Sequence, residues 1–226
     1  MQRHGESAAI IEVFSGLHGR HAGVVRGGAS RRMAATLQPG AQLDLTWRAR
    51  LEDQLGSFTV ELIRARAGIL LGDRLALGAL TTICALCRYA LPERMAYPGL
   101  YGDTVAVLDT LGQPGWLRSY ALWELTLLEA TGFGLDLQQC AVTGARSGLA
   151  YVSPRTGRAV TATGAGAYAD RLLPLPAALS DSHARFDAHA LAQALQLSGY
   201  FLHHWLAEAQ GRPLPEARAR FLALLD

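Results

Sequence analysis

The sequence predicts an α+β protein in which a small antiparallel β-barrel or sandwich precedes a mostly α-helical domain. Short strand-like runs separated by turn residues fill the first part of the chain, and helical periodicity of the apolar residues begins at Asp73. Of the 226 residues, 50% are hydrophobic, which is enough to form a sizeable core. We therefore expect two domains, residues 1–70 and 71–226.

Four strand-like runs lie before this boundary, each ended by glycine or another turn-forming residue. They cover residues 8–14, 20–26, 43–51 and 58–66. In the third run apolar and polar residues alternate, which places Leu43, Leu45 and Trp47 on one face. Arg48 and Arg50 fall on the opposite face, as expected for a strand that is buried on one side only.

The apolar residues after Asp73 recur at helical spacing. The predicted helices cover residues 73–91, 100–111, 116–131 and 186–208, and a final helix ends at Leu225. Residues 132–182 are rich in Gly, Pro, Ser and Thr, so this segment is predicted to be irregular, with a short hairpin around Tyr151 and Val160.

The first part of the chain is also where arginine is concentrated. The formal net charge is only +2, but no acidic residue lies between Glu12 and Asp44, a stretch rich in arginine and glycine. Guanidinium groups bind phosphate bidentately and glycine lets backbone N–H groups approach it, so this stretch suits a nucleic-acid backbone. The predicted contact residues are Arg20, His21, Arg26, Arg31, Arg32, Arg48 and Arg50. The alternative is a solvated basic face on a small sheet.

The cysteines favour a reducing compartment. There are three, Cys84, Cys87 and Cys140, and the chain starts without an apolar leader, so we predict a cytoplasmic, nucleoid-associated protein. No stretch of the sequence is long and apolar enough to span a bilayer. Cys84 and Cys87 have C-x-x-C spacing, but both fall on the apolar stripe of a predicted helix. We interpret them as core residues rather than metal ligands.

The sequence lacks the motifs expected of an enzyme. Gly164-Ala165-Gly166 loosely matches a dinucleotide fingerprint, but the strand and helix that must flank it are missing. His203 and His204 are adjacent on a predicted helix, so their side chains point about 100° apart and do not easily share a metal. No nucleophile elbow, P-loop or paired carboxylates occur. We predict no enzyme and no cofactor; a small hydrolase is the least favoured alternative.

The order of several short motifs resembles that of the RecO family, the bacterial recombination mediator proteins. In the first part the similar segments are His4-Gly5-Glu6-Ser7, residues 10–14, His18-Gly19-Arg20, Arg26-Gly27-Gly28, and residues 30–32 and 37–40. In the helical part they are Trp123-Glu124-Leu125, Gly132-Phe133-Gly134, Cys140-Ala141-Val142-Thr143-Gly144 and Tyr151-Val152-Ser153-Pro154. Their order and spacing make the match specific over nearly the whole chain.

This resemblance implies an N-terminal oligonucleotide/oligosaccharide-binding (OB) fold joined to a helical domain. It also implies a DNA repair and recombination protein that binds and anneals single-stranded DNA, works with RecR, contacts the C-terminal tail of single-strand-binding protein and loads RecA. Arginines of the OB face would neutralise phosphates, while Trp47 either stacks on a base or belongs to the core. The main alternative is a RecO-like protein–protein interaction scaffold with vestigial DNA binding.

The sequence departs from the family at three places, of which the first two concern the zinc site and the first strand. Zinc-bearing members carry two C-x-x-C pairs, and the corresponding positions here are Cys140, Thr143, Thr161 and Gly164. Since three of the four ligands are absent, we expect no metal and a loop held by hydrogen bonds instead. Family members also usually have one more strand before the His-Gly-Glu segment. Either the start lies upstream of Met1 or the barrel lacks its first strand and has exposed edges.

A third departure concerns the tail of single-strand-binding protein. That tail is acidic and ends in a hydrophobic residue with a free carboxylate, so its receptor needs an apolar pocket rimmed by arginine. Family members commonly have arginine before the aromatic-Glu-Leu triplet, a position that is Leu122 here. We predict that Arg118, one helical turn earlier, supplies the charge and that Trp123 or Leu122 lines the pocket. The alternative is a solvent-exposed arginine on an amphipathic helix.

Overall fold

A computed structural model describes residues 2–51, 54–181 and 183–225. The chain divides into two compact units, Met1–Gly112 and Gln113–Asp226. The first unit contains the sheet together with two long helices, and the second contains the remaining helices and a small three-stranded sheet. None of the described helices is long and apolar enough to cross a membrane.

The first unit is built on a five-stranded sheet. Its strands are β1 (Gln2–His4), β2 (Ala8–Ser15), β3 (Gly19–Val25), β4 (Gln42–Arg48) and β5 (Ser57–Arg64). The spatial order is β1-β2-β3-β5-β4, with all neighbours antiparallel except β3 and β5, which pair in parallel at two positions. This order is that of a five-stranded Greek-key sheet of the OB type. The predicted α+β class and strand-rich N-terminal part are thus confirmed.

The sheet is open, which agrees with the sequence-based alternative of a barrel with exposed edges. β1 is three residues long and pairs only with Ala8–Ile10 of β2, and no pairing of described residues joins it to β4. The free edges of β2 and β4 therefore border a cleft of about 680 Å³ whose lining includes Val13, Leu43 and Cys84. Among the described residues only Gln2–His4 pair with the outer edge of β2, so the rest of that edge has no strand partner.

One face of this sheet carries a hydrophobic core cluster of the first unit, as the alternation of residues predicted. Ile11, Val25 and Phe58 are buried together with Leu37, and Trp47 packs against them. The glycine at position 23 is required here, because a Cβ on it would lie 2.6 Å from the Phe58 ring. The Trp47 indole N–H donates to the carbonyl of Leu55 at 3.2 Å. Trp47 therefore belongs to the inner face of the sheet.

Four helices complete the first unit: α1 (Arg31–Thr36), α2 (Arg66–Ile69), α3 (Arg74–Ala90) and α4 (Pro98–Thr110). Helix α3 begins where the sequence predicted, with the Asp73 carboxylate accepting the Ala76 N–H at 2.9 Å. Its apolar stripe buries Leu80, Ile83 and Cys87, which fixes the helix onto the unit by packing. The short α1 was not predicted, because it buries no side chain.

The second unit is organised around two long helices, α5 (Trp116–Ala130) and α8 (Ala188–Phe201). The short elements between them are β6 (Leu149–Val152), β7 (Ala159–Thr161), α6 (Ala162–Ala165), a 3₁₀ segment (Gly166–Arg171), β8 (Leu173–Pro174) and α7 (Ala177–Ser180). The chain ends with a π-helical segment (Leu202–Ala207), α9 (Glu208–Gln210) and α10 (Glu216–Leu222). The predicted hairpin is confirmed, since Tyr151 of β6 lies opposite Val160 of β7.

Candidate nucleic-acid interface

Three exposed arginines, Arg26, Arg31 and Arg32, flank the turn that follows β3. None of them forms an ion pair or side-chain hydrogen bond with a described residue. Because exposed and unpaired guanidinium groups keep all their donors available, these three side chains can donate hydrogen bonds to phosphate oxygens without losing an existing contact. They are the core of the candidate interface.

The turn that carries these arginines is held by backbone contacts. Gly27 has a φ of +68°, and the N–H of Ala29 donates to the carbonyl of Ser7 at 3.0 Å. Gly28 packs so closely that a Cβ on it would lie 2.7 Å from the Cβ of Ala9. Ser30 then starts α1 by accepting the N–H of Met33 at 3.3 Å. The arginines are therefore presented by a fixed turn rather than by a free loop.

A fourth arginine, Arg3, was not among the contact residues predicted from the sequence. It lies on the same side of the sheet as this turn. It is exposed and lies opposite Ala9 in the β1–β2 ladder, and Ala9 is the residue against which Gly28 packs. Paired residues of neighbouring strands project to the same face, so Arg3 adds a cation near the turn. Its position just before the His-Gly-Glu segment was the available signal. Glu6, also exposed, reduces the net charge there.

Arg48 is the last residue of β4, and Arg50 follows it in the connection to β5. Both side chains are exposed. Arg48 lies opposite Ser57, which in turn lies opposite Val24 of β3. Two strand spacings of this ladder amount to about 10 Å. Arg48 is therefore near the end of β3, on the face of Val24 and so opposite to the face that carries Val25 and Arg3. Neither Arg48 nor Arg50 is ion-paired with a described residue.

Arg20 differs from the other predicted contact residues because its guanidinium already has partners. It donates to Glu12 at 2.5 Å and to the carbonyl of Leu91 at 2.8 Å, and Glu93 lies at 3.7 Å. Arg88 also pairs with Glu12, at 2.6 Å. A role of Arg20 in binding DNA remains a prediction, but these contacts give it a competing structural role within the first unit.

His21 lies on the inner face of the sheet beside Trp47. The two rings meet edge to face with centroids 4.7 Å apart, and the Phe58 ring lies at 6.0 Å. Its Nε2 atom is buried without a hydrogen-bond partner among the described residues. Burial and, next, the nearby Arg94 lower the pKa of His21. The imidazole is therefore neutral near pH 7, and its predicted phosphate contact remains untested.

The residues predicted to bind the tail of single-strand-binding protein differ in burial and in hydrogen bonding. Arg118 donates to the carbonyl oxygens of Asp181 and Ala184, at 3.2 and 2.7 Å. Trp123 is buried at 2% exposure, whereas Leu122 is 44% exposed. Of the predicted pocket residues, Leu122 is therefore the most exposed. The tail site itself remains a prediction.

The four positions that correspond to zinc ligands converge in the second unit. The Cys140 thiol sulfur accepts the N–H groups of Thr143 and Thr161, both at 3.3 Å, and lies 3.5 Å from the Thr161 hydroxyl. The N–H of Gly164 donates to the same hydroxyl at 3.0 Å. One thiol, two threonines and a glycine do not fit zinc, which needs four ligands. Hydrogen bonds hold the loop instead, as expected from the sequence.

The three cysteines have different acidities. Burial opposes ionisation of the Cys140 thiol, but hydrogen bonds from Thr143 and Thr161 outweigh it and lower its pKa to about 6. Burial raises the pKa of Cys84 to about 11 and raises that of Cys87 further. Cys87 is a core residue, whereas Cys84 is half-buried and lines the cleft. The described residues contain no cluster of three potential metal ligands.

The OB-type strand order and the mostly helical second part define the class of protein. Comparison with known proteins agrees with both features. The family model for the recombination protein O N-terminal domain matches residues 1–66, and that for its C-terminal domain matches residues 71–213. The chain belongs to the RecO family.

Relatives from several bacteria carry the name DNA repair protein RecO. The relative from Cereibacter sphaeroides is 59% identical over 225 residues, which is 100% of this chain and 94% of the relative. Those from Dinoroseobacter shibae and Roseobacter denitrificans are 57% and 58% identical, covering 99% and 98% of this chain and 92% of each relative. The fold and function of this chain are therefore to be understood within a family of DNA repair proteins.

Proposed function

We propose that this protein binds single-stranded DNA without catalysing a reaction, and that it does so through the arginines of the turn after β3. The supporting observation is the set of exposed, unpaired guanidinium groups of Arg26, Arg31 and Arg32 on a turn fixed by the buried Gly28. Arg3 adds a cation beside the turn, and Arg48 and Arg50 are proposed as further contacts near the end of β3. Such groups recognise the phosphate backbone, which has the same chemistry in every sequence.

Strand annealing follows from this mode of binding. Guanidinium groups that contact phosphates leave the base edges free, so a bound strand can still pair with its complement. Neutralising the phosphates also reduces the repulsion between the two strands. We propose that the protein acts in this way in the repair of DNA, and that RecR, the tail of single-strand-binding protein and, indirectly, the RecA filament are its partners.

The test is a binding titration with a fluorescent oligonucleotide. Replacing Arg31 and Arg32 together by Ala should weaken binding at least about tenfold, since each lost contact is a charge-assisted hydrogen bond. The matched control replaces Arg185 and Arg220, which are exposed in the second unit and paired with acids, so the net charge changes equally. Equal affinities of the two double variants would exclude the turn as the DNA interface.

The second candidate function is a protein–protein interaction scaffold with vestigial DNA binding. The observation that favours it is Leu122, an exposed leucine at 44% on a helix whose neighbour Trp123 is buried. The same titration separates the two functions, because a scaffold would show no salt-dependent binding of the wild-type protein to the oligonucleotide.

A further inference from the structure

Tyr168 is the one aromatic side chain that is exposed among the described residues. It is 65% exposed, whereas every other phenylalanine, tyrosine and tryptophan is buried or half-buried. Aromatic rings are large apolar groups, so leaving one in water forgoes the stabilisation that its burial would give. Packing in the core therefore does not explain the position of the Tyr168 ring, and a binding role would.

The backbone around Tyr168 is anchored while its ring points away from the core. Tyr168 lies in the 3₁₀ segment Gly166–Arg171, preceded by the buried Ala165. Ala169 and Leu172, which follow it, pack against the small core cluster of the second unit, and the N–H of Leu172 donates to the carbonyl of Ala169 at 3.1 Å. The ring is thus presented by a fixed segment, which limits the entropy lost when a ligand binds.

Two arginines accompany this ring. The guanidinium carbon of Arg171 lies 5.8 Å from the centroid of the Tyr168 ring. β8, which starts two residues after Arg171, pairs with β6 so that Leu173 lies opposite Val152. Because β6 and β8 are antiparallel, the segment that leads into β8 and the turn that follows β6 lie at the same end of this small sheet, and Arg155 of that turn is exposed.

The charge balance at this place is positive. Neither Arg155 nor Arg171 forms an ion pair with a described residue, and Asp170 is the one acid within the 3₁₀ segment. Arg158, which also follows the β6–β7 turn, is paired with Asp136 at 3.4 Å and is therefore less available. The site combines an exposed aromatic ring, a guanidinium 5.8 Å from the centre of that ring and a second exposed guanidinium at the same end of the small sheet.

We propose that Tyr168 and Arg171 form a stacking site for an unpaired base of single-stranded nucleic acid, with Arg155 contacting a flanking phosphate. A flat aromatic ring accepts any base by its π-face, and arginine adds cation–π and phosphate contacts. This inference rests on the proposed binding of single-stranded DNA, but it assigns a second contact, in the second unit, to residues that the arginine turn does not include. Binding of a protein at this site would not depend on nucleic-acid bases, so comparing strands with and without bases distinguishes the two kinds of partner.

The experiment compares Tyr168→Ala with Tyr168→Phe in the full chain, using an oligothymidylate and the same strand with abasic sites. Loss of the ring should weaken binding to the oligothymidylate about fivefold or more, while phenylalanine keeps the wild-type affinity because it keeps the π-face. On the abasic strand the three proteins should bind equally. Thermal melting should be unchanged by Tyr168→Ala, since the ring is exposed.

Each other outcome overturns the stacking site. Equal affinity of Tyr168→Ala and the wild-type protein, or an equal loss on both strands, would show that the ring does not stack on bases. If the arginine-turn variant binds weakly while Tyr168→Ala binds normally, this inference fails and the proposed function stands. If the wild-type protein binds no single-stranded DNA, both fail together.

Discussion

Arg218 and Glu124 form a buried ion pair that we expect to be a main source of stability in the second unit. Their side chains are 7% and 0% exposed, and two hydrogen bonds join them at 3.1 and 2.9 Å. Arg218 also donates to the carbonyl of Leu195 at 2.8 Å, while Ser198 and Tyr120 donate their hydroxyls to Glu124. Burial disfavours the charge of Arg218, but Glu124 outweighs it and raises the pKa of the guanidinium.

Replacing Arg218 by Met keeps the length of the side chain but removes the charge. The Glu124 carboxylate would then remain buried without its cationic partner, although the hydroxyls of Tyr120 and Ser198 still donate to it. Breaking a buried pair in this way costs about 3–5 kcal/mol of unfolding free energy. The control is Arg220→Met. Its partner is Glu216 and the two side chains are 67% and 89% exposed, so the pair contributes little.

Urea unfolding followed by circular dichroism and tryptophan fluorescence measures the difference between the two variants. We expect Arg218→Met to lower the midpoint strongly and Arg220→Met to leave it near the wild-type value. A loss below about 1 kcal/mol for Arg218→Met would refute the reasoning, because it would mean that the buried carboxylate finds other compensation.

Three further predictions concern the loop around Cys140, the buried His21 and the predicted site for the tail of single-strand-binding protein. The wild-type protein should contain no stoichiometric zinc by elemental analysis, whereas a variant with Cys at 143, 161 and 164 should bind one zinc, because a Cβ on Gly164 would lie 3.2 Å from the Cys140 sulfur. The pKa of His21 is lowered below its usual 6.5, so the unfolded chain takes up a proton that the folded protein does not. The melting temperature should therefore fall as the pH drops below about 6.5, and less so in His21→Phe; an identical pH dependence would contradict this. Arg118→Glu should weaken binding of a peptide of the tail at least about tenfold, with unchanged affinity moving the site elsewhere.

The fold could be predicted where local pattern decides it. The alternation of Leu43, Leu45 and Trp47 gave β4 and its inner face, because a side-chain period of two is an intrinsic property of a strand. The start of α3 followed from Asp73 and an apolar stripe. The short α1 escaped prediction because it depends on the cap at Ser30 and has no fully buried side chain, only the partly buried Met33 against the core.

The candidate site could be predicted less completely, because partners distant in sequence decide which arginines are free. Nothing near Arg20 in the sequence indicates that Leu91 and Glu93 lie against it. The hydrogen-bonded carbonyl of Leu91 is 71 residues away along the chain. His21 could have been assigned to the inner face, since it has the same parity as the core residue Val25 on β3. Composition indicates that cations are present, but pairing across the fold determines which of them remain unpaired.

The salt dependence of binding to single-stranded DNA tests the proposed phosphate contacts most directly. A plot of log affinity against log salt concentration has a slope of about −0.7 for each phosphate neutralised on a single strand. Replacing both Arg31 and Arg32 by Ala should therefore make the slope less steep by about 1.4, while the Arg185 and Arg220 control keeps the wild-type slope. A slope that is the same for all three proteins would show that the arginine turn after β3 does not contact the DNA backbone.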